Sequence, residues 1–501
     1  VIGLVAGALW SCGSAKDPQA MNLFTPMALD EHVVWFDSEG EQALFLDVGR
    51  SQPKPDVTRV ALKAKPMLVV RRNASNEILS LVVDEDADTT ELVAVDPKGV
   101  SRRYDLGTRF DAITQSDDGR YAIVHYQPGG ASDESTFLFS PNEIVIVDLE
   151  KKGDEALTKH TLRSFGSGPT AFSFAPEMEL AGERRRLAAV IYQSQLALLD
   201  LNHPERPEFT IELSRSSNIQ IAQLRFSPEE QKIYALAAGS NDVYVIRLLP
   251  ASGGRVNDFE PSVNQLGADA TPRDMVPYEA GGEKRLLVVS GNSAQVVEAS
   301  SSRVTQIPLD VYADHVLLFE GTSPFDTDVE PRALLYAANQ SGVSFLDLVD
   351  VEERTTRNLE VVNVPGGISD LVRLNGNLVF AIQATSGVNV VNLEERTASP
   401  IQARVSVGAV VPSLETKRLW VAPEGGSALG YVDLTTLHPQ QVNLDRSIDK
   451  LLVFNQTKPP RVVVTHDVSE GAVTILGAEA PTDTKQSVTL DGFFFAGALD
   501  R

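Results

Sequence analysis

The chain has one cysteine in 501 residues, Cys12, so it can form no internal disulfide, no multi-cysteine metal site and no Cys-x-x-Cys-His haem attachment. Histidine is also scarce, at seven residues. Base is the minority charge: 44 Lys and Arg against 68 Asp and Glu leave a formal net charge of -24. Such a balance repels a phosphate backbone instead of releasing its counterions, so nucleic acid is excluded as an expected partner. It is equally unfavourable against an anionic membrane surface, while it keeps a large protein from self-associating. Long helical stretches with apolar residues three and four apart are missing, and no Gly-x-Ser-x-Gly elbow, His-Glu-x-x-His or phosphate-binding Gly loop occurs.

What is present is a repeat. The stretch Asn-Glu-Ile-Val-Ile-Val-Asp-Leu at 142–149 is a short apolar run closing on a polar residue, and variants of it end at Asp47, Asp96, Asp148, Asp200, Arg247, Glu298, Asp347, Asn392, Asp433 and Gly477. Ten copies at steps of 41 to 52 residues mean a solenoid, a propeller or an array, and they override the several-domain prior that length alone would give. Strand formers dominate, and Gly 35 with Pro 28 supply turns. Four strands fit each repeat. In the fourth unit they are 169–174, 186–192, 195–201 and 208–213; in the eighth, 368–374, 377–383, 387–393 and 402–407, with Asn375-Gly376 as a hairpin turn.

One four-stranded meander cannot cover both its faces, so neighbours must stack on it, and radial stacking gives a β-propeller. The fold expected is therefore all-β, about ten four-stranded repeats, with two smaller propellers in tandem as the alternative to one closed ring. The first unit supplies three evident strands, 32–37, 42–48 and 57–63, and lacks an inner one. Phe493-Phe494-Phe495-Ala496-Gly497-Ala498 is left over at the far end and is expected to fill that place, leaving no open sheet edge.

Gly-Asn-Leu-Val-Phe-Ala-Ile at 376–382 with Gly-Val-Asn-Val-Val-Asn-Leu at 387–393, and Lys-Ile-Tyr-Ala-Leu at 232–236 with Asp-Val-Tyr-Val-Ile at 242–246, resemble bacterial YVTN-type propeller repeats. The resemblance is loose and covers nearly the whole chain after Cys12. Three Trp in all, Trp10, Trp35 and Trp420, depart from quinone-dependent propeller dehydrogenases, which repeat a Trp-containing motif.

The apolar run 1–10 is too short to span a bilayer and ends in Leu9-Trp10-Ser11-Cys12-Gly13, which resembles a bacterial lipobox, although Trp10 is bulkier than usual there and no initiator Met or basic start precedes Val1. The resemblance implies a signal peptide over 1–11, lipidation of Cys12, a tether to residue 30, and a propeller over 31–501. Gly13 in place of Asp implies the outer membrane. The membrane would then be reached through the lipid alone.

Related propellers meet ligands on the face formed after the second strand. In this chain His125-Tyr126-Gln127 and His466-Asp467 stand there and are the first candidates for a polar mouth, although strand-terminal loops are normally polar. Asp84, Asp86 and Asp88 alternate like Ca²⁺ ligands but lack the Gly and closing Glu of an EF-hand. The acids closing the third strands are read as turn formers. No catalytic residue is assigned. The function expected is a lipid-anchored, non-catalytic propeller that binds a protein or envelope partner; the alternative is a lactonase-like secreted hydrolase holding a divalent metal in its central mouth.

Overall fold

The computed structural model describes residues 21–49, 57–85, 87–127, 140–163, 168–213, 219–251, 259–268, 270–301, 303–323, 326–349, 351, 359–375, 378–382, 387–401, 403–468, 471–483 and 485–492. Its strands form ten four-stranded antiparallel sheets and one two-stranded hairpin. We number the sheets 1 to 10 along the chain. Sheet 1 comprises Met27–Leu29, His32–Asp37, Gln42–Asp47 and Val57–Ala61, and sheet 10 comprises Ile448–Phe454, Arg461–His466, Ala472–Gly477 and Val488–Asp491. Strands follow chain order within each sheet; in sheet 4 the hairpin Met178–Leu180/Glu183–Arg185 is inserted between the first strand, Ala171–Phe174, and the second, Leu187–Ile191.

The second and third strands read as unbroken apolar runs because both of their faces are covered. In sheet 1, Val34, Phe36, Ala43 and Phe45 pack with Ile78, Val82 and Val93 of sheet 2. The alternate residues Val33, Trp35, Leu44 and Leu46 pack with Val463, Val473 and Ile475 of sheet 10. Side chains of a strand point to opposite faces in turn, so each run feeds two cores.

The same pattern repeats around the molecule. Apolar clusters join sheets 2 and 3, 3 and 4, 4 and 5, 5 and 6, 6 and 7, 7 and 8, 8 and 9, and 9 and 10. With the 1/2 and 10/1 clusters the succession returns to its start, which makes one closed ring of ten blades. Two tandem propellers would each close on themselves, and sheets 5 and 6 and sheets 10 and 1 would not both be joined.

First strands of neighbouring sheets lie against one another at 1/10, 3/4, 5/6, 6/7 and 9/10, which places them around the axis. Asp274, on the first strand of sheet 6, ties three of them. It accepts from Gln223 Nε2 of sheet 5 at 2.7 Å and from the Val316 amide of sheet 7 at 2.9 Å.

Three expectations meet different arrangements. The inner edge of sheet 1 is held by Met27–Leu29, paired to His32–Val34, and Leu23 bridges Asp37, so part of the stretch expected as tether is strand. Phe493–Ala498, expected in that place, lie outside the described residues. The fourth strand of sheet 8 is Thr397–Ile401, not 402–407, because a tight turn pairs Asn392 with Thr397 at once.

Candidate functional site

His125 closes the second strand of sheet 3, Tyr121–His125, and is buried. Its Nδ1 lies 2.9 Å from the Tyr126 carbonyl and its Nε2 3.0 Å from Thr114 Oγ1. A carbonyl only accepts, so Nδ1 carries the proton and Nε2 accepts from the threonine hydroxyl. The ring also packs on Phe172 of sheet 4, with centroids 4.4 Å apart. Burial pushes its pKa below the usual imidazole value, against the opposing hydrogen bond to Tyr126.

His466, in sheet 10, repeats this arrangement. Nδ1 donates to the Ser447 carbonyl at 3.0 Å, and Nε2 accepts from Thr474 Oγ1 at 2.7 Å, which itself lies 3.0 Å from Thr489 Oγ1. In both residues the lone pair a metal would use is already engaged inside the sheet. The two imidazoles belong to sheets 3 and 10 and are not brought together. Asp467 is exposed beside His466. The Gln127 amide donates to Asp111 Oδ1 at 2.5 Å, and the Tyr126 ring packs 5.1 Å from Phe110, its phenol pKa raised by burial.

Of the alternating aspartates, Asp84 and Asp88 are described, and each has its own partner. Asp84 accepts from the Ala87 amide at 3.0 Å, and Asp88, at φ 51°, lies 4.0 Å from Arg109. Asp86 lies outside the described residues, as does Cys12. Among the described residues no group of three or more His, Cys, Asp or Glu is placed to hold a metal ion.

The acids closing the third strands form turns. Asp47 accepts from the Gly49 amide at 2.9 Å, Asp96 from Lys98 at 2.9 Å, Asp200 from Asn202 at 3.0 Å and Asp433 from Thr435 at 2.8 Å. Several also clasp an arginine that lies within, or just ahead of, the adjacent second strand. Arg185 meets Asp200 at 3.1 Å and Arg332 meets Asp347 at 2.8 Å, both guanidinium groups being almost wholly buried.

A cavity of about 680 Å³ opens instead on the opposite face, at the ends of the first strands, where sheets 10, 1 and 2 meet. Its origin lies in unequal turns. In sheet 1 Leu29 pairs with His32 across the two residues Asp30-Glu31, and Asp30 takes φ 54° to close so tight a hairpin. In sheet 2 Arg71 pairs with Ile78 across 72–77, and in sheet 10 Phe454 pairs with Arg461 across 455–460. Two long turns thus flank a short one, and the gap above the short one is the cleft. Ala28 and Asp30 line it from sheet 1, Arg71 to Asn76 from sheet 2, and Val453 to Gln456 from sheet 10.

Both long turns are braced from outside. Arg72 Nε donates to the Gly119 carbonyl at 2.7 Å, Asn73 Nδ2 to the Ser116 carbonyl at 3.1 Å, and Gln115 Nε2 to the Arg71 carbonyl at 3.0 Å, all across to sheet 3. On the other side Ser413 Oγ of sheet 9 donates to Asn455 Oδ1 at 2.6 Å. The cleft walls are therefore fixed without a ligand. Within them Arg71 and Asp30 are exposed, and neither forms an ion pair among the described residues. Sequence reasoning missed this site, although the lengths of the first hairpin turns carried the signal.

Fold and cleft together define a ten-bladed β-propeller with a polar recess at its closure seam. No protein family profile and no curated protein sequence matches the chain. Among solved structures it is similar to the dihydro-haem d1 dehydrogenase NirN in complex with DHE, at TM-score 0.36 and 11% identity over 95% of this chain and 74% of that one. A eukaryotic initiation factor matches at TM-score 0.45 and 10% identity over 93% and 96%, and apo AztD from Citrobacter koseri at 0.34 and 8% over 73% and 94%. At these values the likenesses carry no argument, and the fold rests on sheet order and the ring of interfaces.

Proposed function

We propose that this chain is a lipid-anchored, non-catalytic binding module of the bacterial cell envelope, built of YVTN-type propeller repeats and held to the outer membrane through Cys12. It offers one rigid face to a protein or envelope partner. The observation that supports this most is the seam cleft, whose walls are braced from sheets 3 and 9 and whose charged groups Arg71 and Asp30 are unspent. Preorganised polar walls lose little conformational freedom on binding, which favours recognition. The hydrolase reading gains no support from His125 and His466, because their acceptor nitrogens are used within their own sheets.

The test is intact mass and total metal content of protein made from the complete gene in a diderm bacterium and purified from membranes. An acylated Cys12 without stoichiometric metal is the expected result. An unlipidated chain released from the envelope would overturn the anchoring, and about one equivalent of retained metal would favour the hydrolase.

A further inference from the structure

The cleft at sheets 10, 1 and 2 holds one cation and one anion that do not satisfy each other. Arg71 ends the first strand of sheet 2, Asp30 sits in the tight turn of sheet 1, and both line the cavity with no ion pair between them. Neighbouring and buried charges are engaged differently. Arg72, next in sequence, is committed to Glu77 and the Gly119 carbonyl, and Arg102 reaches Glu77 at 2.6 Å. Arg185, Arg332 and Lys232 are paired at 3.1, 2.8 and 2.7 Å.

The charge pattern selects among ligands. A purely anionic ligand would find Arg71 but also Asp30, inside a protein of net charge -24. A purely cationic one would be repelled by Arg71. A ligand carrying both signs satisfies both walls, since a carboxylate matches the guanidinium fork and an ammonium matches the Asp30 carboxylate. Ser75, Asn76 and Gln456 add hydroxyl and amide groups suited to a peptide backbone, and the half-buried Val453 and Ala28 add apolar contact.

Resting on the binding-module reading above, we infer that the seam cleft binds a dipolar peptide, its carboxylate on Arg71 and its ammonium on Asp30. That chemistry has two sources: a free short peptide, or an exposed segment of a partner protein carrying Lys and Glu side chains.

The experiment is calorimetric titration of the full chain with four probes: trialanine with free termini, its N-acetyl form, its C-amide form, and an end-blocked peptide with one internal Lys and one internal Glu. Free trialanine is expected to bind at least about ten-fold more tightly than either singly blocked form, a difference of about 1.4 kcal/mol. Arg71→Gln should erase the discrimination between carboxylate and amide while keeping that between ammonium and acetyl, and Asp30→Asn should do the reverse. Both positions are exposed, and far-UV circular dichroism checks that the variants fold. The free tripeptide binding more tightly than the blocked peptide indicates a free ligand; the opposite order indicates a protein segment. No heat with any probe, equal affinity for all, or discrimination unchanged in both variants would overturn the inference. Its failure is separable from that of the anchoring: a lipidated, metal-free protein that ignores every peptide sinks the cleft assignment alone, whereas peptide binding by an unlipidated chain sinks the anchoring alone.

Discussion

Glu208 shows how this fold uses a buried charge. It precedes the fourth strand of sheet 4 with its side chain 3% exposed, accepts from the Arg163 amide at 2.8 Å and lies 3.0 Å from His160 Nε2 of sheet 3. Burial by itself would raise its pKa, but the hydrogen bonds from His160 and Arg163 prevail and hold it at about 2. A folded pKa below the unfolded one stabilises the protein above the ordinary value near 4.5, and that contribution is lost as pH falls from there towards 2. Glu208→Gln should therefore lower stability at pH 7 by on the order of 3 kcal/mol and flatten the loss on acidification, as read by denaturant titrations at pH 7 and 3.

Asp347 is held by Arg332 at 2.8 Å and by Arg396 of sheet 8 at 2.7 Å, both guanidinium groups buried. Replacing it with Ala strands buried positive charge, and a loss of about 3–5 kcal/mol in the same titration is expected. For His125, burial lowers the pKa, so its neutral form is the stable one and protonation below the usual value costs stability. An NMR titration should find this imidazole changing charge at lower pH than a free histidine. At this scale the turn role of the third-strand acids was legible, since an Asp that closes a strand bonds its own next amides. The fate of His125 and His466 was not. Sequence places them at strand ends, but only pairing shows a threonine hydroxyl on the neighbouring strand within 3.0 and 2.7 Å of each Nε2.

Strands were the most legible elements. The ten residues that close apolar runs, nine polar and Gly477, fall at or just beyond the ends of third strands, with Arg247 the exception, since its strand runs on to Pro250. Long apolar runs are visible because second and third strands are covered on both faces. Edge strands are harder to place: the fourth strand of sheet 8 and the inner strand of sheet 1 are short and carry fewer apolar residues, so their positions follow from turns. The hairpin 178–185 in sheet 4 has no counterpart in other units among the described residues and gave no repeat signal. The turn Asp30-Glu31 matters most for function, because its shortness creates the cleft. Lengthening it with an inserted Gly-Ser pair should fill the recess. Peptide binding by calorimetry is then expected to fall by at least about ten-fold, with the thermal midpoint changing little, since exposed loops tolerate added length at small entropic cost.

At the scale of the whole molecule, closure is carried by packing of sheet 10 on sheet 1. Trp35 and Leu46 meet Val463 and Ile475 there. The sequence period established how many blades to expect, but whether they form one ring or two depends on which faces meet, and no period encodes that. The cleft inherits this limit, since its walls come from residues near 30, 72 and 455 that only closure brings together. Electron microscopy of the intact protein, viewed down the propeller axis, tests closure most directly. One continuous ring of ten blades, with a recess where the first and tenth adjoin, is the expected result. Two smaller rings, or an arc with an open edge at the first blade, would contradict it.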